Sequence, residues 1–196
     1  MLVVGAGILV GYVSLPEKWL AVTEQLSMGF LYLLLVGIGI NLVNDSESLL
    51  LLRRLPPRSL LIVPLSAIGS ICGAGLTMML FGDSFWVGAA IGAGFGWYSL
   101  ASVLLSGSLG ALIASLAFLC NILRELLALM LIPHATKRFG IAGIVLGGAT
   151  TMDTTLAVIS SLGRRQLVFL GLIHGLCLSA AVPILVPLLA QLALRR

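Results

Sequence analysis

Residues 141–162 read IAGIVLGGATTMDTTLAVISSL. The stretch is apolar at both ends and has the length to cross a bilayer, which takes about 20 residues. Its centre does not suit a continuous helix. Gly147 and Gly148 are followed by Thr150, Thr151, Thr154 and Thr155 around Asp153. A glycine costs about 1 kcal/mol in a helix interior, and threonine is a weak helix former. Within hydrocarbon, non-helical backbone is tolerated only where protein buries it or it lines a cavity. The stretch is therefore expected to be a membrane segment broken at its middle, either discontinuous or re-entrant.

A second stretch has the same character. Residues 85–106 read FWVGAAIGAGFGWYSLASVLLS, with Gly88, Gly92, Gly94 and Gly96 ahead of Trp97, Tyr98 and Ser99. Two readings are open: a helix interrupted so that its freed backbone lines a cavity, or a continuous helix packed through small-xxx-small contacts.

The rest of the chain agrees with a membrane environment. Of its 196 residues, 60% are hydrophobic and 9% are charged, and mean hydropathy is +1.18. Soluble domains carry about 25% charged residues. Soluble, disordered and nucleic-acid-binding classes are thereby excluded. Long unbroken apolar runs exclude a β-barrel, which alternates apolar and polar residues. The expected fold is all-α, a polytopic helical membrane protein of one domain, 1–196, with about seven apolar segments. These are placed at 2–13 (short for a span), 19–43, 59–81, 85–106, 109–132, 141–162 and 166–194. Pro133 is expected to end the fifth, with 134–140 a basic loop, and Pro183 and Pro187 to bend the last.

Basic residues cluster between segments, at Arg53, Arg54 and Arg58, at Lys137 and Arg138, at Arg164 and Arg165, and at Arg195 and Arg196. Cytoplasmic loops are enriched in such residues. Seven crossings would put the 53–58 and 164–165 loops inside but Lys137 and Arg138 outside. Re-entry of an irregular segment would remove that conflict for Lys137 and Arg138.

The acids carry the functional reading. Asp153 is the one charged residue between Arg138 and Arg164, and Glu125 lies within the 109–132 segment beside Arg124. A charge at a helix centre costs about 2.5–3.5 kcal/mol on insertion scales, so intramembrane acids mark function by default. Glu125 shares a helix face with Asn121, while Arg124 is expected to point elsewhere and snorkel toward the interface. Two acids from two segments suit a cationic substrate, proton exchange, or both. Thr151 and Thr154, the backbone at Gly147 and Gly148, and Tyr98 and Ser99 are expected to complete the site. His174 is expected to hydrogen-bond across helices. Cys72, Cys120 and Cys177 have neither metal-ligand nor disulfide-framework spacing. No metal or cofactor is expected.

The stretches GFGWYSLASVLLS (94–106), LCNILRELLALMLIP (119–133), GGATTMDTTL (147–156) and GLIHGLCLSAAVPILVPLL (171–189) resemble the bacterial and archaeal lysine exporter family. The resemblance runs from about residue 25 to the end. It implies multi-pass insertion in the cytoplasmic (inner) membrane. It also implies outward transport of L-lysine and its analogue thialysine, with Glu125 and Asp153 handling lysine or a coupling proton. Many members are longer, so the chain is expected to be a compact member, a homo-oligomer or half of a split transporter with a separately encoded partner. The rival readings are a sodium or other cation/proton antiporter and a non-transporting membrane subunit; an enzyme is not expected. The expected partners are L-lysine, protons or sodium, and the lipid bilayer, with no nucleic acid.

Overall fold

The computed structural model describes residues 57–195 and the single residue Leu33, which is helical and exposed. The segments expected at 2–13 and 19–43, and nearly all of the 44–58 connection, lie outside the described residues. The chain divides into two compact units, Met1–Leu50 and Leu51–Arg196, and the second is the one described here.

Its elements are all helical. They are α1 (Pro57–Leu60), α2 (Ile62–Leu80), α3 (Phe85–Gly92), α4 (Tyr98–Leu109), α5 (Ala111–Phe139), two 3-10 helices (Gly140–Leu146 and Gly148–Met152), α6 (Thr154–Ser161) and α7 (Arg165–Leu194). Three stretches are long and apolar enough to cross a membrane: Ile62–Leu80, Ala111–Leu146 and Gln166–Leu194. Their outward faces carry large apolar side chains, with Leu80 87% and Leu112 82% exposed. Such a surface would aggregate in water and is matched by lipid.

Between the long helices lie the two irregular segments, and both are broken. The first consists of α3 and α4, separated at residues 93–97. Helix α3 packs back along α2. A Cβ at Gly88 would strike the Ala74 carbonyl and Met78, and one at Gly92 would lie 2.5 Å from the Ser70 carbonyl oxygen. Helix α4 then pairs with α5 about the turn at Gly110, where the Tyr98 and Phe118 rings meet edge to face at 5.3 Å. Arg124 of α5 bonds Ser70 of α2, and Leu116 shares a groove with Met78 and Phe81. These pairings make α5 antiparallel to α2. Helix α4 therefore returns to the end of the bundle at which α3 began, and the pair forms a hairpin.

The second segment is a hairpin from the opposite end. The 3-10 helix Gly140–Leu146 folds back along α5, with Gly143 against Ala135 and Thr136 and Gly147 facing Ile132. Helix α6 then leads out again. Thr136, Lys137, Leu162, Arg164 and Leu167 line one pocket, so the segment leaves where it entered. Ala128, Ile132, Ile144, Ile159, Leu167 and Leu170 form a buried cluster joining it to α5 and α7.

Two expectations are corrected. Helix α5 passes through Pro133 and ends at Phe139, so 134–140 is not a loop. Thr136, within the turn that follows, donates to the Ile132 carbonyl at 2.7 Å, and Lys137 and Arg138 sit in the last turn. There they complement the negative end of the helix dipole. Lys137 lies at the same end as Arg164, not opposite it. The last long helix runs Arg165–Leu194 with Pro183 and Pro187 inside it, as one segment.

Candidate functional site

The tips of the two hairpins meet. The Ala149 N–H donates to the Phe95 carbonyl at 2.8 Å, a main-chain bond between the two breaks. Phe95 is fully buried with φ of 48°, and Gly148 opposite it has φ of 61°. A Cβ on Gly148 would collide with the Phe95 carbonyl and crowd the Arg124 guanidinium. Gly148 thus meets two requirements, left-handed backbone and close approach, that a side chain would violate.

Asn121 holds the first break. Its Oδ1 accepts from the Gly96 N–H at 2.7 Å, and its Nδ2 donates to the carbonyls of Ile91 (3.1 Å) and Ala117 (2.9 Å). The side chain is 3% exposed. An interrupted helix leaves main-chain groups without partners, and a buried amide supplies both a donor and an acceptor.

Arg124 holds the second break. Its Nη1 donates to Ser70 Oγ at 2.7 Å, Nε to the Leu146 carbonyl at 3.3 Å and Nη2 to the Val145 carbonyl at 3.4 Å. Ser70 in turn donates to the Gly92 carbonyl at 2.7 Å. Arg124 therefore reaches inward, toward both breaks, and does not snorkel to the interface as expected from its place in an apolar segment.

His174 is fully buried on α7, with Ser66 Oγ 2.8 Å from Nε2 and Thr151 Oγ1 3.1 Å from Nδ1. It links α2, α7 and the tip of the second hairpin, in keeping with a histidine bonded across helices. Each hydroxyl also lies within bonding distance of a carbonyl, Val63 for Ser66 and Gly148 for Thr151.

The expected site residues fall at different places around this crossing. Gly147, Gly148 and Thr151 are buried in the second tip, and Asn121 is buried beside the first. Tyr98 is half-buried at the start of α4 and Ser99 beside it is exposed. Glu125 is half-buried and stands 14 residues from either end of α5, deeper than an end at residue 132 would place it. Asp153 is exposed and caps α6, its Oδ1 accepting from the N–H and the hydroxyl of Thr154, which is itself exposed. Among the described residues no hydrogen bond or ion pair joins Glu125 to Asp153. Ser70 and Phe95 escaped the sequence reading. A serine in an apolar helix carries no local signal that a buried arginine will meet it 54 positions away.

A groove of about 480 Å³ leads toward this crossing between α2, α3 and α5. It runs from Arg124, Ser70 and Asn121 past Ala74 and Leu116 to Met78 and Phe81.

The family described as lysine exporter LysO matches residues 1–190. The Escherichia coli (strain K12) protein named "Lysine exporter LysO" is 37% identical over 158 residues, which cover 80% of this chain and 52% of that protein. The chain thus spans about half the length of that relative. A Haemophilus influenzae (strain ATCC 51907 / DSM 11121 / KW20 / Rd) protein named "Putative lysine exporter" is 30% identical over 181 residues, 91% of this chain and 90% of that protein. No solved structure matches. On the strength of the match over nearly its whole length, the chain belongs to the lysine exporter LysO family, a family of transporters and not of enzymes.

Proposed function

We propose that the chain moves L-lysine, and its analogue thialysine, outward across the cytoplasmic membrane in exchange for protons. The observation that carries this is the meeting of the two hairpin tips through Phe95 and Ala149, beside an α5 whose midpoint is Glu125. Discontinuous helices that meet within a bundle offer main-chain groups to a substrate's charged ends, the arrangement found at transporter binding sites. Family membership supports lysine as the cargo.

In this reading Lys137, Arg138, Arg164 and Arg165 mark the cytoplasmic end. Lysine leaves as a cation against an inside-negative potential, which opposes exit by about 2.3 kcal/mol per charge per 100 mV. Protons entering in exchange offset that cost. Glu125 meets an ammonium group or carries the proton, and Asp153, at the head of α6, does the other task. Asn121, Thr151, Thr154, Tyr98, Ser99, Gly147 and Gly148 shape the surroundings.

The test is lysine counterflow in proteoliposomes, with and without an imposed pH gradient, for the chain and for Glu125→Gln and Asp153→Asn. Asparagine caps a helix as well as aspartate does, so Asp153→Asn removes charge and spares the cap. Saturable, gradient-sensitive exchange that falls at least about tenfold in each variant is expected, the loss of one charge-assisted hydrogen bond. Normal export by both variants would overturn the carboxylate mechanism. Sodium-driven proton flux without lysine would replace it with cation/proton antiport.

A further inference from the structure

We infer that Arg124 receives the α-carboxylate of the transported amino acid at the inner end of the groove between α2, α3 and α5. The inference rests on the proposed amino-acid cargo and deepens it, since it assigns the end of the substrate that the two acids cannot bind.

Three observations lead there. Among the described residues Arg124 is the one charged side chain lining the groove, and the remaining wall is mostly apolar, including Ala74, Met78, Phe81 and Leu116. A guanidinium attracts a carboxylate far more strongly in such surroundings than in water. Second, the guanidinium is positioned by a short bond to Ser70 and longer ones to the Val145 and Leu146 carbonyls. Arginine has five N–H groups, so two remain without an acceptor among the described residues. Third, the groove's volume of about 480 Å³ falls within the usual range of small-molecule sites, about 300–1,000 Å³.

The charge also orients the cargo. A bare ammonium group entering the groove meets a fixed positive charge in a poorly screened setting and is repelled. A free α-carboxylate is drawn in, and the amino groups turn away from Arg124. A diamine or an amino-acid ester has no anionic end to offer. The competing account gives Arg124 the sole task of bonding the carbonyls of the second break. That account makes no distinction between acid and ester.

The experiment is a ligand panel on the purified chain in detergent, read by thermal shift and titrated for Kd. The probes are L-lysine, L-lysine methyl ester, cadaverine and L-norleucine. Lysine and norleucine are expected to raise the melting temperature, and the ester and cadaverine are expected to bind at least about tenfold more weakly, as the loss of a charge-assisted bond implies. Arg124→Lys keeps the charge and loses the planar fork. It is expected to fold and to lose at least about tenfold of the acid-over-ester preference. Arg124→Gln is expected to abolish that preference.

Equal binding of ester and lysine by the unaltered chain would overturn the assignment while leaving lysine as cargo. Binding of norleucine without lysine would overturn the lysine reading and keep the carboxylate site. No shift with either free acid would overturn the inference outright. An acid-over-ester preference that survives in Arg124→Lys and in folded Arg124→Gln would overturn the role of Arg124.

Discussion

Asn121 shows how one side chain makes a break affordable in an apolar setting. Its bonds to Gly96 and Ile91 serve main-chain groups at the break between α3 and α4, and its third bond, to Ala117, ties the amide to its own helix. Asn121→Ala leaves the buried Gly96 N–H without its acceptor. Each such loss costs about 1–3 kcal/mol, and the expected destabilisation is about 2–4 kcal/mol. Melting of the purified variant in detergent checks it; a melting temperature equal to the parent's would show that the break is held elsewhere. The sequence marked this residue as one of interest and paired it with Glu125, because the two lie four apart on a helix. What it could not show is that Asn121 faces the 91–96 turn, a matter of helix rotation set by partners 25 to 30 positions away. The same holds for Arg124. Helical spacing correctly turned it away from Glu125, but its destination depended on Ser70 and on the carbonyls of Val145 and Leu146.

At the scale of elements, the glycines of 85–106 served both readings weighed from the sequence. Gly88 and Gly92 allow α3 to press against α2, which is the small-residue packing reading. Gly94 and Gly96 lie in the break, which is the discontinuous-helix reading. Replacement at Gly88 tests the first of these. A Cβ there meets the Ala74 carbonyl and Met78, and main chain cannot yield as a flexible side chain can. Gly88→Val is expected to pry α3 from α2 and to destabilise by about 3 kcal/mol, at the upper end of overpacking costs. The check is the elution profile and melting curve in detergent; a monodisperse variant with parental stability would show that α3 can slide. Pro133 misled the sequence reading for a reason at this same scale. Proline ends helices in water, where a freed carbonyl finds solvent and the chain can turn away. Inside a bundle the cost of leaving the helix is larger, and α5 continues for six residues beyond the proline.

At the scale of the molecule, that continuation decides the topology. With α5 ending at Phe139, Lys137 comes to the end of the bundle where Arg164 lies, and the segment between them enters and returns. With α3 and α4 returning likewise to the other end, the described unit has three long helices and two hairpins of opposite direction. Its basic residues then separate. Arg58 in α1, just before α2, stands with Lys137, Arg138, Arg164 and Arg165 at one end, against Arg195 and the Asp83 turn at the other. The charge conflict of seven simple crossings disappears. That the two segments are irregular was legible in their glycines and threonines; that they re-enter was not, because re-entry is a relation between α2, α5 and α7. It yields a direct prediction. Single cysteines at positions 83, 137, 164 and 195, in a chain whose Cys72, Cys120 and Cys177 have been replaced, are to be probed with a membrane-impermeant maleimide in intact cells. Positions 83 and 195 are expected to label at once, and 137 and 164 after the membrane is opened, since basic ends face the cytoplasm. Labelling of 137 and 164 from opposite sides would mean that residues 140–162 cross the membrane. The two tips would then approach from one side, and a site reached alternately from either end, through two opposed hairpins, would lose its structural basis.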